Sequence, residues 1–188
     1  MRRASLAASL VLVPGLAFAH PGLPHTHDLV TGFAHPIGGL DHVLAMVAVG
    51  LFAAQLGGRA LWLVPASFVG TMVLAGLAGM AGLQLPLAQA GIALSVVALG
   101  AVVAFRLAVP LAAAMALVGF FAIFHGYAHG IETPETASGL LYGLGFVAAT
   151  AMLHGLGVAI GLAISRRALR FAGGAAAAIG LVLLIGAV

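Results

Sequence analysis

Residues 34–50 read Ala34-His35-Pro36-Ile37-Gly38-Gly39-Leu40-Asp41-His42-Val43-Leu44-Ala45-Met46-Val47-Ala48-Val49-Gly50, and the apolar run continues to Leu56. At 1.5 Å of rise per residue, a helix over 35–56 is long enough to cross about 30 Å of hydrocarbon. An ionisable side chain inside such a span costs about 2.5–3.5 kcal/mol on insertion scales, so it needs a partner or a water-filled cavity. Three of them at the head of one span therefore point to a membrane protein with chemistry inside the bilayer.

Composition agrees. The chain has 188 residues, 63% of them hydrophobic, and its Lys, Arg, Asp and Glu together make up 6%. A soluble domain carries about 25% charged residues, so this chain cannot build a water-facing surface. There is no cysteine, which excludes disulfides, thiolate metal sites and thiol nucleophiles and leaves eight histidines as the reactive inventory.

Working outward from 35–56, short clusters of Gly, Pro and charge divide the remainder into apolar stretches near 61–81, 87–108, 110–129, 139–164 and 168–187. The expected fold is all-α and polytopic, with six transmembrane helices. Ahead of them, residues 1–19 have a basic start (Arg2, Arg3), an apolar run and a terminal Ala17-Phe18-Ala19, the layout of a cleavable signal peptide. The domain organisation is then a signal peptide over 1–19 and one membrane domain over 20–188, starting outside the cytoplasm.

From that start the loops facing the cytoplasm hold Arg59, Arg106 and the trio Arg166, Arg167 and Arg170, as the positive-inside rule requires. The outward loop between the fourth and fifth spans holds Glu132 and Glu135. These features predict a multi-pass protein of the inner (cytoplasmic) membrane with both mature termini outside. Small-xxx-small pairs such as Gly139/Gly143, Gly157/Gly161 and Ala75/Gly79 predict close helix contacts in lipid.

Within the first span, His35 and His42 are two turns apart and share a face if the helix is regular between them, with Pro36 suited to its first turn. Asp41 is either a hard oxygen ligand or a partner that fixes a histidine tautomer. Because neighbouring residues diverge around a helix, the Asp41-His42 pair suits one ligand and one orienting group. The fourth span ends Phe124-His125-Gly126-Tyr127-Ala128-His129-Gly130-Ile131-Glu132. His125 and His129 have the i, i+4 spacing at which two imidazoles can share a divalent cation, and Glu132 extends the same face. Both clusters fall near the outer ends of their spans, where they can meet. His154, about 22 Å in from Gly139, is either a deeper relay ligand or a packing histidine. Met46 offers a soft contact, and His20, His25, His27 and Asp28 could capture metal at the mouth.

Together, His35-x5-Asp41-His42 and the Phe124–Glu132 segment resemble the two motifs of the HupE/UreJ family of hydrogenase and urease accessory membrane proteins. The resemblance covers essentially the whole chain. It implies a secondary permease for Ni2+, with Co2+ in some members, and it carries over His35, Asp41, His42, His125, His129 and Glu132 as metal residues, with His154 less firmly attached. The implied partners are a divalent transition-metal ion and the lipid bilayer, with a functional link to hydrogenase or urease maturation proteins and no nucleic acid. A homo-oligomer is compatible with this reading, and no resident cofactor is expected.

The mechanism expected is partial replacement of the ion's hydration shell by imidazole and carboxylate, weak enough to permit release. No Walker A motif or nucleotide-binding domain is present, so ATP hydrolysis is not expected; the chain is read as a non-enzyme, with import driven by the gradient and the membrane potential. Two other classes compete. An intramembrane metal hydrolase would use similar ligands but lacks H-E-x-x-H here; a metal sensor or scaffold would bind without transporting.

Overall fold

The structure is a computed structural model that describes residues 28–133 and 137–187. Among these residues there are seven helices and no strand: α1 (Leu29–Gly38), α2 (Leu40–Leu56), α3 (Ala60–Met80), α4 (Ala88–Ala104), α5 (Leu111–Gly130), α6 (Ala137–Ala163) and α7 (Arg166–Ala187). The expected signal peptide, His20, His25, His27 and Glu135 lie outside the described residues. Four helices, α3, α5, α6 and α7, are clearly long and apolar enough to cross a membrane. The third apolar stretch, expected over 87–108, yields the shorter 17-residue α4.

The first stretch departs most from expectation. It is two helices, α1 and α2, meeting at 85°, so His35 and His42 do not lie on one regular helix. Asp28 starts α1 early by accepting the Thr31 N–H at 2.7 Å, which also holds the Asp28 carboxyl below its ordinary range. Pro36 therefore sits near the end of α1 rather than in a first turn. It has no N–H to give to the Gly32 carbonyl, and two glycines follow at once. Gly39, with φ −100° and ψ 120°, is the extended hinge between the two helices. Irregular backbone of this kind is tolerated at membrane depth where it borders a site or cavity.

Glycines bring the remaining helices together. α3 and α5 run parallel, and a Cβ at Gly126 would overlap the Met72 backbone, while one at Gly130 would overlap that of Gly76. α2 and α6 are also parallel: Gly50 lies against the His154 carbonyl and Gly157 against the Val47 carbonyl. α4 and α7 pack antiparallel through Gly100, Gly173 and Gly180. Gly157/Gly161 and Ala75/Gly79 pack as anticipated, but Gly139 and Gly143 line a cavity of about 410 Å³ beside α3 and α5. A core of Phe52, Val64, Phe68, Leu99 and Val118 fills the centre.

This arrangement gives the bundle two chemically distinct ends. Gln89 at the start of α4 reaches Asp41 at the start of α2, 3.3 Å away. At the other end Gln55 of α2 donates to the Leu107 carbonyl at 3.1 Å, and Arg170 of α7 to the Ala104 carbonyl at 3.2 Å.

Candidate metal centre

The histidine end is assembled from four helices. α1 supplies His35, the first turn of α2 supplies Asp41 and His42, and the last turns of α5 supply His125 and His129, with Glu132 just beyond. α6 walls the site with Tyr142 and Phe146. The helix break is what brings His35 round. Its ring lies 4.6 Å from that of His129, and the ligand atoms of His35, His129 and Glu132 lie within 4.8 Å of one another.

Burial increases inward from this group. His35 and Glu132 are exposed, Asp41 is half-buried, His42 and His129 are buried, and His125 is fully enclosed. The His42 ring stands 4.6 Å from that of His129 and 4.9 Å from that of His125. The i, i+4 histidines of α5 are thus bridged by a residue of α2 instead of facing each other alone.

Hydrogen bonds fix which nitrogens carry protons. His42 donates from Nδ1 to Asp41 Oδ1 at 2.8 Å, and the same oxygen accepts the His42 backbone N–H at 2.8 Å. This leaves His42 Nε2 as a lone pair, directed at His129 Nε2 only 2.6 Å away, so His129 donates across that contact. Asp41 also offsets the partial positive charge of the α2 N-terminus, which would otherwise oppose a cation. Gly39 belongs to the same unit, since a Cβ there would come within 2.8 Å of Asp41 Oδ1 and 3.1 Å of His42 Nδ1.

On the inner side, Ser95 donates to the Ile92 carbonyl at 2.6 Å and so accepts from His125 Nε2 at 2.9 Å. The Nδ1 atoms of His125 and His129 are buried without a hydrogen-bond partner. Buried polar atoms are nearly always satisfied, so such orphans call for an explanation. An unprotonated imidazole nitrogen facing inward is the donor that a borderline divalent cation takes.

Of the seven metal residues read from the sequence, six come together here and His154 does not. His154 is buried on α6 with both ring nitrogens unpartnered. The Phe68 ring packs against both, 5.5 Å from the His125 ring and 5.1 Å from that of His154. Met46 is in the core, and Asp28 is occupied as the cap of α1. Sequence reading missed Ser95, Gln89 and Phe68. The first two carried a usable signal, being polar residues in an apolar stretch; nothing marked Phe68 among the ten phenylalanines.

The profile described as HupE / UreJ protein matches residues 8–183. The chain belongs to the HupE/UreJ family. It is 47% identical over 185 residues to Protein HupE of Rhizobium leguminosarum bv. viciae, covering 95% of each chain. No solved structure matches it. Both HupE/UreJ motifs quoted above thus fall at one end of the bundle, joined through the His42–His129 contact.

Proposed function

We propose that this HupE/UreJ protein is a secondary permease that imports divalent nickel, with cobalt as a second cargo, for hydrogenase or urease maturation. The observation that carries the reading is the graded line of imidazoles. It runs from exposed His35 and Glu132 through His129 and His42 to enclosed His125, with unpartnered Nδ1 atoms at His129 and His125. A resident structural site would be closed by a full ligand set; a path needs donors in succession, each weak enough to release.

In this reading the six crossings are the broken α1–α2 pair, α3, the shorter α4, α5, α6 and α7. The arginine end faces the cytoplasm of a cell whose inner membrane holds the chain, and both mature termini lie outside. The ion enters at His35, His129 and Glu132, exchanges water for imidazole at His42 and His125, and reaches His154 past the Phe68 ring. Asp41 holds the His42 tautomer and offsets part of the cargo's charge. The membrane potential draws the cation inward by about 2.3 kcal/mol per unit charge per 100 mV. No catalytic step is assigned to the chain.

The test is radiolabelled nickel flux into proteoliposomes, with cobalt, zinc and copper as competitors. Saturable nickel entry that cobalt reduces supports the proposal. Binding of nickel without flux would replace it with a sensor or scaffold, and zinc-dependent hydrolysis of a lipid or peptide would replace it with a hydrolase.

A further inference from the structure

The end of the bundle remote from the histidines holds a second unusual feature. Arg106, Arg166, Arg167 and Arg170 line one cavity of about 570 Å³ between the end of α4 and the start of α7, flanked by Phe105 and Phe171. Two separate chain segments converge there. Orientation by the positive-inside rule requires arginines in these loops, but it does not require them to share a cavity.

Three further observations bear on what the cavity holds. First, no carboxylate among the described residues is available to these arginines, because Asp28, Asp41 and Glu132 are all at the histidine end. Second, Arg166, Arg167 and Arg170 occupy the first turns of α7, which contain no acid. Cations at a helix N-terminus add to its partial positive charge, so both act together on an anion. Third, Arg106 has φ 53°, a left-handed conformation usually left to glycine. Its N–H bonds to the Val103 carbonyl and that of Leu107 to Val102, closing α4 in a Schellman turn whose key residue is an arginine. Of these four arginines, only Arg170 makes a side-chain hydrogen bond among the described residues, to the Ala104 carbonyl.

We propose that this pocket binds a phosphate group and that the phosphate belongs to an anionic phospholipid. Four guanidinium groups in one cavity, without a carboxylate partner among the described residues, offer the charge and the planar donors that a phosphate takes. The lipid source follows from the walls: Phe105 and Phe171 are each more than 70% exposed beside the arginines, an apolar border that suits acyl chains and offers nothing to free phosphate. Basic pockets between membrane helices bind lipid headgroups by the same pairing. The site is separate from the proposed metal path and stands or falls independently of it.

The test uses the full chain in nanodiscs of phosphatidylcholine doped with phosphatidylglycerol, with bound lipid counted by native mass spectrometry and thermal unfolding followed in parallel. Wild type is expected to retain phosphatidylglycerol selectively and to unfold at a higher temperature as its fraction rises. R106Q/R167Q should weaken that retention about tenfold or more, whereas R59Q, an arginine of the same end outside the pocket, should leave it unchanged. Equal retention by R106Q/R167Q and R59Q would overturn the site. If R106Q/R167Q fails to fold, the wild-type titration decides alone, and indifference to phosphatidylglycerol overturns the proposal. Full stabilisation by inorganic phosphate in pure phosphatidylcholine would overturn the lipid source.

Discussion

His42 and His154 lie on neighbouring parallel helices and both are buried, yet they are held in opposite ways. The His42 imidazole is anchored at Nδ1 by Asp41, which in turn accepts from Gln89, so its Nε2 lone pair has one direction, toward His129. His154 has no hydrogen bond at either nitrogen and lies against Phe68. On the proposed metal path, this contrast separates selection from passage. Anchored imidazoles present lone pairs of fixed aim and can discriminate among cations, while an unanchored one can accept an ion and let it go.

The largest effect expected from breaking this contrast is at its anchored members. Alanine at His42 or His125 should reduce nickel accumulation to background in cells with unchanged membrane expression; unaffected uptake would remove these residues from the path. Next, Asp41→Asn keeps the shape but weakens the Nδ1–H anchor. Loss of such a partner commonly costs about 10–100-fold in metal affinity, so the nickel concentration for half-maximal uptake should rise by that order.

Proton competition follows. Ligand imidazoles must be neutral to take a cation. Uptake should therefore weaken as acid protonates them; stimulation by acid would indicate proton coupling instead. Smaller still is His154→Ala, which should lower the maximal rate by less than about tenfold, below the loss expected at the anchored residues, with the half-maximal concentration unchanged. A shift in the half-maximal concentration instead would place His154 among the selecting residues and erase the contrast.

The smallest effect is expected outside the site. The Asp28 carboxyl is held below its ordinary 3.8 by the Thr31 N–H at the start of α1. A lowered native value stabilises the fold above that pH and is lost as pH falls through it. Asp28→Ala should thus slightly lower the unfolding temperature at neutral pH and remove any acid-dependent change in that range, with nickel affinity untouched.

Much of this was legible from residue order. Apolar runs between Gly, Pro and Arg clusters marked α3, α5, α6 and α7 to within a few residues, because lipid exposure leaves helix length as the dominant constraint. The six residues of the two motifs were also legible, as ionisable groups too costly to stand alone in a span. The break at Gly39 was not. Pro36-Ile37-Gly38-Gly39 shows that a helix can end there, but only contacts with α6 and the Asp28 cap decide that α1 starts earlier and turns by 85°. Phe68 was equally hidden, because its contact with both His125 and His154 depends on three helices meeting.

Nickel-edge X-ray absorption on the purified full chain tests the central claim most directly. The account predicts a nitrogen and oxygen shell with imidazole scattering and no sulfur, weakened by His42→Ala and His125→Ala but not by His154→Ala. A shell made of water or sulfur, or one unchanged by the first two substitutions, would contradict it.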